Sequence, residues 1–170
     1  DHLKITGRYQ LLNDILDDPF SLIAGVSIIQ AGKPALYDPA SFHHGRVEVE
    51  AHVSIGKEIS SNQYWLKRYF SSFGLGLSQG SPWIRADFAY EQNCYDYHRL
   101  QLFVNTLFGL GGQCLKLQSF HGYGSIRHQS VDLGFKYAYL LEQLGGTLTA
   151  GYSYRVYAKN FPKNTSRFFL

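Results

Sequence analysis

Hydrophobic and polar residues alternate along most of this chain with a period of two. From Arg46, the run Arg-Val-Glu-Val-Glu-Ala-His-Val-Ser-Ile puts Val47, Val49, Ala51, Val53 and Ile55 on one side and Arg46, Glu48, Glu50, His52 and Ser54 on the other. Successive side chains of an extended strand point to opposite faces, and no 3.6-residue spacing accounts for this run. The same alternation predicts strands near 3–11, 20–28, 84–91, 99–108, 131–139 and 148–156. Weaker strands are expected at 67–78, where Phe73, Leu75 and Leu77 alternate with Gly74, Gly76 and Ser78, and at 114–121 around Leu115 and Leu117, and 166–170 resembles a tenth strand cut short.

Gly, Pro and polar residues separate these runs, as hairpin connections require. Ser78–Pro82, Gly109–Gln113 and Glu142–Gly146 are short and fall on alternate connections, which predicts turns gathered at one end of an antiparallel meander. Asn13–Pro19, Glu58–Tyr64, Gln92–Tyr97, Gly122–Gln129 and Lys159–Thr165 are longer, more polar and assigned to the other end. The expected fold is all-β, an antiparallel up-and-down transmembrane barrel of about 8–10 strands filling one domain over 1–170. Within it, residues 30–45, with Pro34, Pro39, His43 and His44, form a long connection or small plug.

Composition narrows the choice of surroundings. Charged residues are 17% and apolar residues 45%, too apolar for a disordered chain, and aromatics are 16%. The 16 basic and 13 acidic residues are scattered, so no basic stripe points to nucleic acid. No stretch approaches the ~18 apolar residues of a membrane helix, a test that strands of a membrane barrel escape. A soluble lipocalin-like carrier would turn the apolar face inward around a ligand, whereas a membrane barrel turns it toward lipid. Long apolar stripes almost free of charge favour the second. So do Tyr9, Tyr90, Tyr137, Tyr139, Tyr152, Tyr154 and Tyr157, placed toward strand ends where an interfacial girdle is expected, and a polar face rich in Gly, Ser and Thr.

The segments Ser130-Val131-Asp132-Leu133-Gly134-Phe135-Lys136-Tyr137 and Thr147-Leu148-Thr149-Ala150-Gly151-Tyr152-Ser153-Tyr154, with the turns before and between them, resemble the bacterial outer-membrane β-barrel class as a whole. The resemblance implies a Gram-negative outer-membrane address, contact with outer-membrane lipid and lipopolysaccharide, and a porin-like or structural role without catalysis or cofactor. Barrels of this class end in a strand with a terminal aromatic residue. Here Pro162 interrupts the last alternation and Ser166–Leu170 is too short to span, so the native chain is expected to continue.

Lys4, Arg8, Arg46, Glu48, Glu50, Arg85, Asp87, Glu91, Arg99, Lys116, Asp132, Lys136 and Arg155 share the polar parity and are expected to face the lumen. In a barrel of about 8–10 strands such charges pair and fill the interior, whereas small-solute passage through a water-filled pore needs roughly 16 or more. His43-His44 has no Cys, Asp or Glu at ligand spacing and reads as loop. The alternative activity is a barrel-embedded lipid esterase or deacylase. Ser119 and His121 would serve on the lipid-facing side of the strand at 114–121, with His128 and Ser130 across the next loop, but no acid on that face orients the base. Cys94 and Cys114 are expected at opposite ends of the sheet as free thiols, too far apart for a disulfide.

Overall fold

The computed structural model describes residues 2–61, 64–94 and 97–170. Nine antiparallel strands form one sheet in sequential order: β1 (His2–Leu12), β2 (Ser21–Ala31), β3 (Val47–Ser61), β4 (Tyr64–Leu77), β5 (Trp83–Cys94), β6 (His98–Gly109), β7 (Gln129–Leu141), β8 (Gly146–Lys159) and β9 (Ser166–Phe169). Each strand pairs with its sequence neighbour, and the sheet does not close into a barrel. The register keeps like with like. Val53 lies between Ala24 and Phe73, while His52 lies between Gly25 and Gly74. A slip of one residue would exchange the two faces, so the strict alternation read from the sequence fixes the pairing.

The strand expected at 114–121 does not form. That segment belongs to one long connection, 110–128, holding a 3-10 turn at Leu117–Ser119. Two alternating leucines are too few to hold a ladder, and the main chain closes on itself instead: Gln113 N donates to Ser125 O at 3.0 Å and Arg127 N to Gln113 O at 2.9 Å. The run at 166–170 is the ninth strand, not a tenth. Removing one strand also re-sorts the ends. Connections 32–46, 78–82, 110–128 and 160–165 lie at one end, and 13–20 and 142–145 at the other. Gly109–Gln113 is therefore the start of a long connection rather than a tight turn, and Glu142–Gly146 lies opposite Ser78–Pro82. Residues 62–63 and 95–96, within the expected connections Glu58–Tyr64 and Gln92–Tyr97, lie outside the described residues.

The polarity of the faces decides how the sheet relates to its surroundings. Glu48 and Glu50 are each 3% exposed and Arg155 4%, whereas Val49 is 41% and Leu133 44% exposed. The charged face is thus the inner one and the aliphatic face the outer one, the reverse of a soluble up-and-down barrel. Among the described residues no helix is long and apolar enough to cross a membrane.

Curvature brings inner rings down onto neighbouring strands. Trp83 pairs with Gly76 and Phe103 with Gly134, and a Cβ at either glycine would overlap the ring opposite. The sequence's many glycines on the polar parity therefore make room for side chains lying flat across the inner face.

Candidate functional site

The long connections meet over one end of the inner face. Tyr123 N donates to His43 O at 2.8 Å, Ser81 N to Gly124 O at 2.5 Å and Leu110 N to Pro82 O at 2.9 Å, which ties 32–46, 78–82 and 110–128 together through the main chain. Gly124 sits where they cross, and a Cβ there would overlap His44 O. Beneath this crossing Phe120, Tyr123, Ile126 and Phe161 form a buried cluster, with Phe42 packed against it. Burial pushes the Tyr123 phenol up to about 12, against the opposing pull of Arg155, and its hydroxyl donates to Pro39 O at 2.9 Å.

Four polar side chains are buried under the same crossing. Glu48, on β3, accepts from the His44 main-chain N at 2.6 Å, and its Oε1 lies 3.2 Å from His43 Nδ1. Its other oxygen is 3.7 Å from His44 Nδ1, within ion-pair reach but beyond a hydrogen bond. His44 Nε2 lies 3.2 Å from His128 Nε2, and the His44 ring stacks on Trp83 with centroids 3.8 Å apart and 7° between planes. His128 is fully buried, and its Nδ1 is 3.0 Å from Ile126 O. A carbonyl only accepts, so Nδ1 carries the His128 proton and Nε2 of the neutral ring accepts from His44. Burial, reinforced by the neighbouring His44 charge, pulls His128 down to about 4.

Next to this cluster the strands surround a cavity of about 240 Å³. Its charges are cross-linked. Arg85 Nη2 donates to Glu50 Oε1 at 2.6 Å, bridging over β4, and Arg85 Nε is 3.4 Å from Asp87. Arg155 forks onto Asp132 at 2.6 and 2.9 Å, donates to Pro162 O at 3.1 Å and lies 4.5 Å over the Phe161 ring. Arg167 on β9 adds a second cation 3.6 Å from Asp132. Among the described residues, the charges that line this cavity are thus paired with opposite charges.

The expected lumen residues divide into three groups. Glu48, Glu50, Arg85, Asp87, Asp132 and Arg155 converge on the cavity. Glu91 and Arg99 pair at 3.2 Å toward the opposite end, and Lys136 lies over the Phe103 and Phe169 rings. Lys4 and Arg8 are on the inner parity of β1 but exposed, because β1 is the edge of an open sheet. Arg46 precedes β3 and is exposed, and Lys116 is exposed in the 110–128 connection, so neither lines the interior. Cys94 and Cys114 are both free, one at the end of β5 and one in 110–128.

Ser119 and His121 come together, but not through the serine hydroxyl. Both sit in an exposed loop, and His121 Nδ1 is 3.0 Å from the Ser119 main-chain oxygen rather than its hydroxyl. They line a cleft of about 490 Å³ that also holds Cys114 and Lys116. Among the described residues no serine hydroxyl is hydrogen-bonded to a histidine; Ser130 is buried on the inner face, and His128 Nδ1 is 3.0 Å from Ile126 O. The loop reading of His43-His44 missed the partners: Glu48 follows within five positions and His128 comes from 84 residues away. The only sequence signal was the matched parity of Glu48 with the inner face.

Among the described residues no three His, Cys, Asp or Glu side chains converge on a metal position. No family model, curated protein or solved structure matches this chain.

Proposed function

We propose that this chain forms the wall of a bacterial outer-membrane β-barrel with a porin-like or structural role and no catalytic step. The observation that carries the reading is the inverted polarity: Glu48, Glu50, Asp132 and Arg155 are buried on the inner face, while every strand exposes large apolar residues on the outer one. Water would penalise that outer surface, and lipid would not. Tyr9, Tyr69, Tyr90, Tyr137 and Tyr139 lie toward the end of the sheet that carries the 13–20 and 142–145 connections, where an aromatic belt at the lipid boundary is favoured. The shorter connections then face the periplasm and the longer ones the exterior.

The cross-linked interior favours a structural wall over a solute channel. The reading also requires strand partners for the free edge of β1 and for the open side of β8 and β9, since unpaired backbone is not tolerated against lipid. Expression in a Gram-negative host followed by alkaline carbonate extraction tests the proposal. The chain should stay in the outer-membrane pellet and be released only by detergent. Recovery in the aqueous fraction without detergent would instead support the soluble carrier.

A further inference from the structure

We propose that the His44–His128 contact is a proton-operated latch: it holds the 32–46 connection against the 110–128 connection while His128 is neutral, and protonation of His128 releases them and uncovers the inner cavity. One hydrogen bond joins the two rings, and it exists only while one ring has a free lone pair. His128 Nδ1–H is spent on Ile126 O, so its Nε2 accepts from His44 across 3.2 Å. A proton on that nitrogen sets donor against donor as long as His44 keeps its own Nε2 proton.

Among the described residues, no carboxylate packed around His128 is free to compensate such a charge. Tyr123 and Phe161 bracket its ring, with centroids 5.0 and 5.5 Å away. Arg155, on β8, adds positive charge above Phe161, and its forked carboxylate, Asp132 of β7, is already taken. Glu48, on β3, faces His44 and His43 from the far side, and His2 of β1 stacks edge-on against His43 at 5.1 Å. The Glu50 carboxylate is engaged by Arg85. His128 stays neutral in the folded state down to about 4, against 6.5 for an ordinary imidazole. The closed arrangement is therefore fully held above about 6.5 and loses ground as pH falls toward about 4, where the open state takes the proton and the closed one does not.

Trp83 reports on the latch because His44 lies flat against it. The chain contains two tryptophans, so the Trp65→Phe variant leaves Trp83 alone. In detergent micelles its emission should shift to the red between pH 6.5 and 4, with loss of amide protection at Tyr123 and Ser81 and with the far-UV strand signal unchanged. His128→Asn retains an acceptor for His44 and cannot titrate in this range; its emission should stay flat. If that variant does not fold, His44→Gln, which keeps a donor and can also accept from protonated His128, should flatten the response in its place. A flat response in the parent, the same transition in the folded variant, or a shift accompanied by loss of strand signal would overturn the latch. Exposure of a lumen rests on the barrel reading, but the Trp83 shift does not. Release of the chain by carbonate would defeat the barrel alone, and a silent Trp83 would defeat the latch alone.

Discussion

Asp132→Ala is expected to destabilise the fold by about 3–5 kcal/mol, the cost of breaking a buried ion pair from one side. Arg155 is 4% exposed and gives two of its donors to Asp132, so truncation leaves its guanidinium with the Pro162 carbonyl and two aromatic faces. Arg167 loses the same carboxylate. The damage should spread to the 160–165 connection, which Arg155 anchors through Pro162 and through its own N–H to Thr165 O at 3.0 Å. The double variant Asp132→Leu with Arg155→Met removes both buried charges and should recover most of the loss. Urea unfolding in micelles measures both. A loss below about 1 kcal/mol for Asp132→Ala, as for a surface pair, would mean that water reaches the interior.

Leu133→Arg addresses the other face. Leu133 lies mid-sheet on the outer surface between Val104 and Tyr154. If that surface meets lipid, an arginine near the bilayer midplane costs about 2–4 kcal/mol. If it meets water, the same change at a 44% exposed position stays within about 0.5 kcal/mol. Refolding into vesicles, followed by denaturant titration, separates the two outcomes, because each substitution touches one face of the same strand.

The strands were legible because period-two alternation is local. Val47 to Ile55 and Val131 to Tyr139 each carry enough matched positions to exclude helix, and their observed strands extend only a few residues beyond. The segment 114–121 misled because two leucines at a spacing of two occur equally well in irregular chain. The true role of that connection depends on Tyr123 meeting His43, Gly124 meeting Ser81 and Leu110 meeting Pro82 from distant parts of the chain, which no local pattern encodes. The miscounted strand then shifted every later connection to the wrong end. The parity holds through β8 as far as Arg155, where the register shifts opposite Val131 and Asp132, and Asp132 and Arg155 are both buried on the inner face.

The candidate site divides along the same line. Glu48, Glu50, Arg85, Asp132 and Arg155 were visible as charges on the inner parity. Their pairing was not, because Arg85 reaches over a whole strand to Glu50 and the glycines beneath allow it: Gly74, between them on β4, has no side chain to block the approach. The His44–His128 contact joins two loops and has no periodicity at all.

The central claim is that the outer face of the sheet contacts lipid and the inner face does not. Strand β6 offers the most direct measurement, since Leu100, Leu102 and Val104 point outward while Gln101 and Asn105 point inward. Single cysteines at these five positions, in a Cys94→Ser and Cys114→Ser background, would carry a fluorophore in phosphatidylcholine vesicles containing nitroxide-labelled lipid. Quenching should alternate with the strand, strong at 100, 102 and 104 and weak at 101 and 105. Uniformly weak quenching, or maxima at 101 and 105, would contradict the account.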